Sequence, residues 1–149
     1  MKESIGQTFV TNLILLFTGI GLLLLFYSIN YSRAYKAKNR IIYILEKNES
    51  FDAAKYEIDN NLEKASYISV NDNNFDYCKK YGDMDKNIYP KKYTNKNEKF
   101  YKYCVFEYEA SYGKYYKVIT FMKFEIPLIQ GILEFPVRGE TKNMMNTVE

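Results

Sequence analysis

Histidine is absent from all 149 residues, and so is tryptophan. Without an imidazole the chain lacks the side chain best suited to moving protons near neutral pH, and with it the Ser-His and Cys-His nucleophile pairs. Zinc sites that need a histidine ligand are excluded for the same reason. Cysteine is scarce: Cys78 and Cys104 stand far apart with no Cys-x-x-Cys spacing, so neither a zinc cluster nor a thioredoxin-like pair is indicated. A strong excess of one charge is also missing. The 21 Lys and Arg residues against 18 Asp and Glu leave a net charge of +3, with both signs mixed along the chain. That balance does not suggest a nucleic-acid partner. Nothing in these residues points to an enzyme, a cofactor or a resident metal.

A long uncharged segment is what the chain does have. Between Glu3 and Arg33 no residue carries a formal charge, and two apolar runs begin at Leu13 and Leu22, separated by Thr18-Gly19-Ile20-Gly21. Residues 9–29 supply about 20 positions, the length a helix needs to cross ~30 Å of hydrocarbon. Thr11, Asn12 and Thr18 are compatible with lipid, because their polar groups can bond helix carbonyls or a neighbouring helix. A cleaved secretory signal has a shorter apolar stretch and small residues at a cleavage site. Here Ser28 is the one small residue between Tyr27 and Tyr31, so retention as a single-pass anchor in the lipid bilayer is the expectation. Arg33, Lys36, Lys38 and Arg40 follow the span, and the positive-inside rule read literally puts the carboxyl domain in the cytoplasm.

Helical patterning continues past the span. Tyr27, Tyr31, Ala34, Ile41, Ile42 and Leu45 recur at helical spacings with no Pro or Gly between them, which predicts one helix over 7–45 with Asn48 as its stop. Ser50 reads as an N-cap and Asp52 favours the first turn of a second helix over 51–65, whose stripe is Ala54, Ile58, Leu62 and Ala65. Residues 70–97 are polar. The run Asp72-Asn73-Asn74-Phe75-Asp76 lacks the central Gly and terminal Glu of a calcium loop, and turns are the expectation there. From Phe100 the texture is aromatic and branched: strands are predicted over 100–108 and 115–126 with a turn at 110–114, and a third over 132–137, with Pro136 on an edge strand. The fold class is therefore α+β: a long N-terminal transmembrane and amphipathic helix, a short second helix, and an antiparallel sheet of about three strands covered on one face by helices.

This layout resembles that of type IV pilins and pseudopilins. The opening Ser4-Ile5-Gly6-Gln7-Thr8-Phe9-Val10 before an apolar run looks like that of the TadE-like pseudopilins of tight-adherence pilus systems. The segment Phe124-Glu125-Ile126-Pro127-Leu128-Ile129-Gln130-Gly131, followed by a strand and Gly139-Glu140-Thr141, resembles their closing segment. The resemblance implies a leader at 1–6, a transmembrane helix at 7–32, an extracytoplasmic α+β domain at 33–149, and processing by a prepilin peptidase between Gly6 and Gln7. It also implies partners: other pilin-like subunits through the N-terminal helix, and an assembly platform. The family carries a Glu at the position held here by Thr11, so this chain departs from the pattern at the charge thought to meet a neighbour's amino terminus. Gly19 and Gly21 are candidate helix-packing positions, although two residues apart they do not form a small-xxx-small face. An extracytoplasmic domain would permit a Cys78–Cys104 disulfide; two unrelated cysteines, one buried on a strand, is the alternative. The competing function is a single-pass anchored binding or regulatory module that does not polymerise.

Overall fold

No proline precedes Pro90, and the first helix accordingly runs unbroken. In this computed structural model, which describes residues 2–70, 76–82, 88–89, 100–125 and 132–145, α1 spans Lys2–Asn48. Its 47 residues extend about 70 Å at 1.5 Å per residue. The helix thus exceeds the predicted 7–45 at both ends. It stops because Glu49 turns into the left-handed region (φ 54°) while its N–H still bonds the Leu45 carbonyl at 2.8 Å. The Asn48 amide donates to the Ile44 carbonyl (2.9 Å), occupying a group that the helix end would otherwise leave open.

The second helix, α2 (Phe51–Lys64), lies within one residue of its predicted bounds. Ser50 has extended N-cap backbone geometry, but its hydroxyl makes no capping bond. Phe51, Ala54, Ile58 and Leu62 are buried as the stripe requires, whereas Ala65, at the C-cap, is exposed. Arg40 Nε donates to Asn61 Oδ1 (3.0 Å) and Lys47 pairs with Glu57 (3.2 Å), so α1 and α2 form a helical hairpin bonded along its outer side.

The sheet is a meander with additions. Strands β1 (Ser69–Val70), β2 (Ile88–Tyr89) and β3 (Phe100–Tyr101) are two-residue pieces; β4 (Tyr103–Ala110), β5 (Gly113–Glu125) and β6 (Ile132–Glu140) are long. β2-β4-β5-β6 form one antiparallel sheet, and β1 pairs with β3. The predicted first strand, 100–108, is bent at Lys102, whose N–H leaves the sheet line to bond the Ile68 carbonyl (3.0 Å). Ala110 pairs with Gly113, so the β4–β5 turn is tighter than the predicted 110–114. Gly113 adopts φ +142°, and a Cβ there would meet the Met144 carbonyl. β6 lies at the sheet edge, where the missing Pro136 N–H is tolerated as predicted.

Helices α1 and α2 cover one face of this sheet as predicted, and the other face is covered as well. Tyr103, Val105, Tyr116 and Val118 point to α1 and α2 and share a core with Ile41, Ile44, Leu45, Phe51, Ile58 and Leu62. On the opposite face Cys104, Phe106, Ile119 and Phe121 pack under residues 77–82, which comprise most of the one-turn helix α3 (Asp76–Lys79) and the turn after it. Alternation along a strand sends neighbouring side chains to opposite faces, so a strand apolar at every position needs a cover on each side. The Asn-rich run 71–75, the segment around Pro90 and the 127–131 break lie outside the described residues.

Candidate interaction surface

α1 has two halves with opposite surroundings. From Ala34 to Leu45 one face is closed by the domain: Ala34, Ala37, Ile41, Ile44 and Leu45 are buried. That contact is fixed at both ends. Thr120 Oγ1 donates to the Ala34 carbonyl (2.9 Å), and Glu46 Oε1 accepts from the Lys142 N–H (2.8 Å). From Gly6 to Ile29 every residue of the helix is exposed. Phe9 is 66% exposed, Leu15, Phe17, Leu24 and Leu25 are similar, and none of the most apolar stretch is buried. This single N-terminal helix is long and apolar enough to span a membrane. So large an uncovered apolar surface is a contact surface for lipid or for other helices.

At the boundary between the halves an aromatic ladder marks one side of α1. Tyr27 and Tyr31 stack at 6.3 Å, Tyr31 and Tyr35 at 6.1 Å, and Lys38 Nζ lies 4.2 Å over the Tyr35 ring. Spacing of four residues places the rings one above another. Rings of this kind, with an apolar body and a polar tip, favour the layer between hydrocarbon and water. Tyr27 and Tyr31 therefore belong to the exposed half, although their spacing alone had grouped them with the core stripe of Ala34, Ile41 and Leu45.

The residues singled out from sequence fall in two places. Gly6 and Gln7 lie within α1, so the bond between them is helical. Thr11 is exposed and its hydroxyl bonds the Gln7 carbonyl (2.9 Å); its polar group is spent on its own helix. Beyond the adjoining residues and backbone of α1 itself, nothing among the described residues comes within 4 Å of a Cβ built on Gly6, Gly19 or Gly21, so all three open to the surroundings of the stem. Cys78 and Cys104 are brought together: both are fully buried, their Cα atoms are 5.7 Å apart, and they are joined as a disulfide that ties the 77–82 segment onto β4. Gly82 completes that cover, because a Cβ there would strike the Phe106 ring.

One organising residue escaped the sequence reading. Tyr67 sits just past α2 with its hydroxyl in the protein interior, where it accepts from the Phe121 N–H (2.7 Å) and offers its proton to the Lys102 or Phe121 carbonyl (2.9 and 3.1 Å). Burial pushes the phenol well above the usual tyrosine range, which keeps it a neutral donor. Its partners are 35 and 54 residues away in sequence, so no local pattern could reveal it. No protein-family model, curated protein or solved structure matches this chain.

Proposed function

We propose that this chain is a membrane-anchored, pilin-like structural subunit. The bare half of α1 waits in the cell membrane and packs laterally against helices of like subunits, with the α+β domain outside the cytoplasm. One observation carries the reading: α1 passes without a break from an uncovered apolar half into a half buried under a small sheet. Outside lipid, such a stem has to be covered by other apolar helices. The Cys78–Cys104 disulfide supports an extracytoplasmic domain, since such bonds persist in oxidising compartments. The cations that read as a cytoplasmic signal also have local contacts: Lys38 covers Tyr35 and Arg40 holds Asn61. Intact-mass analysis of membrane-extracted protein tests the proposal. A mature chain starting at Gln7 is expected, and free Cys78 and Cys104 thiols, alkylated on denaturing the chain without reductant, would overturn the extracytoplasmic placement.

A second reading, an anchored module that never polymerises, is favoured by Thr11. An uncharged residue bonded to its own helix offers nothing to the amino terminus of a neighbour. A retained Met1, together with a monomeric state in native membrane extracts, would select this second reading.

A further inference from the structure

Where α1 leaves its apolar stretch, its hairpin with α2 encloses a cleft of about 360 Å³. Four cations line it: Arg33, Lys36 and Arg40 from α1, and Lys64 from the end of α2. The three on α1 are spaced three and four residues apart, which puts them on one side of the helix. No carboxylate lines the cleft; among the described residues no ion pair joins these four cations, and the carboxylate whose charge reaches one of them, Glu57 toward Arg40, is paired with Lys47 outside the cleft. Arg40 bonds the neutral Asn61 amide. Gathering four like charges on one small surface is unfavourable unless an anion joins them.

We propose that this cleft holds the phosphate of an anionic phospholipid. The inference rests on the membrane-anchor reading. Position supports lipid as the source of the phosphate. Arg33 lies about 6 Å along the helix beyond Ile29, within the roughly 5–8 Å headgroup layer that follows the hydrocarbon, and Lys36 about 10 Å, just past its outer edge and within reach of it by a long side chain. The tyrosine ladder marks the same level on the stem. Room for a headgroup comes from Ala37 and Ala65, which leave the wall between the helices low, and Leu62 gives it an apolar floor. A helix C-terminus ordinarily repels anions. Here the last α2 carbonyls are already occupied, Asn61 by the Ala65 N–H, Leu62 by the Tyr67 N–H and Glu63 by the Ser66 N–H.

The test is native mass spectrometry of the full chain, extracted in neutral detergent and offered equal amounts of phosphatidylglycerol and phosphatidylcholine. The wild-type chain should retain phosphatidylglycerol in preference. R33Q/K36Q/K64Q, which spares the Arg40–Asn61 bond, should lose it roughly fivefold per cation removed. K80Q/K117Q/K142Q, with the same charge change outside the cleft, should behave as wild type. Equal retention of both lipids, or equal loss in both triple variants, would overturn the inference. So would complete displacement by excess inorganic phosphate, which would make the cleft a site for the free ion. Flotation with phosphatidylcholine vesicles separates the two levels: a chain that does not float overturns the anchor reading as well, and one that floats without a phosphatidylglycerol preference overturns the lipid site alone.

Discussion

Both halves of α1 carry large apolar residues, and they differ in what closes over them. Leu22 is 53% exposed and Leu45 is 0% exposed on one continuous helix. Apolar content alone therefore does not say whether a helix enters lipid or a protein core. The charged residues that accompany it do. From Arg33 onward Lys and Arg interrupt the pattern and confine the apolar residues to one side, which a two-layer domain can cover. From Ser4 to Ser32 no side of the helix carries a charge, and the apolar residues lie all round it.

Matched truncations would break that contrast if it is wrong. Leu45→Ala should destabilise the domain by about 3–5 kcal/mol, through lost burial and the cavity left behind. Leu22→Ala should leave domain stability within about 0.5 kcal/mol. Urea unfolding of the membrane-extracted chain, followed by pulse proteolysis of the domain, measures both; similar losses would mean that the stem is part of the domain core.

The sheet carries a similar contrast between its helix-covered face and its disulfide-covered face. Replacing Cys78 and Cys104 by Ser should lower stability by about 3.5 kcal/mol, the loop-closure value for the 26-residue separation. The same chemical-denaturation midpoint reads it, and protection of the Tyr103–Val118 face by hydrogen exchange should decline less than that of Phe106 and Ile119. Gly82→Ala should cost about 1–3 kcal/mol, because the added methyl would press into the buried Phe106 ring. A neutral outcome would show that the 77–82 cover can lift without consequence.

The smallest expected effect lies on the outer edge of the helical hairpin. The Asn48 amide and then Lys47 hold the Glu57 carboxyl below the usual carboxylate range, with burial opposing them weakly. A depressed folded-state value means that this contribution is present above the unfolded pKa and is lost as pH falls through the folded one. Glu57 lies on the outer, solvent-facing side of the hairpin and is only half-buried, so screening keeps the increment slight. Comparing wild type with Glu57→Gln across that acid range should show a stability difference that vanishes at the acid end; a constant difference would assign the effect to packing.

Legibility in the sequence followed the range of the interactions. Both long helices were readable because their causes are local: no proline, regular apolar spacing, Asn48 at the stop. The hairpin of β4 and β5 was readable from its aromatic runs and Gly113. The second cover of the sheet was not, because its cause is the meeting of Cys78 with Cys104 and of Gly82 with Phe106 across the polar middle of the chain. Tyr67 was hidden for the same reason. In the candidate site, the uncharged stem was plain from Glu3 to Arg33, and so were Arg33, Lys36 and Arg40 as a basic stretch. Their gathering into one cleft needed Lys64, which only the α1–α2 hairpin brings near.

The unbroken passage of α1 from stem to domain has a mechanical consequence. With no hinge between Ile29 and Ala34, and with Thr120 and Lys142 bonded to the helix at either end of its covered half, the domain cannot swivel on its stalk. Its heading around the helix axis is locked to that of the stem. Whatever fixes the stem's rotation therefore also decides which way the Tyr112 turn, 84% exposed at the end of the sheet away from the stem, points.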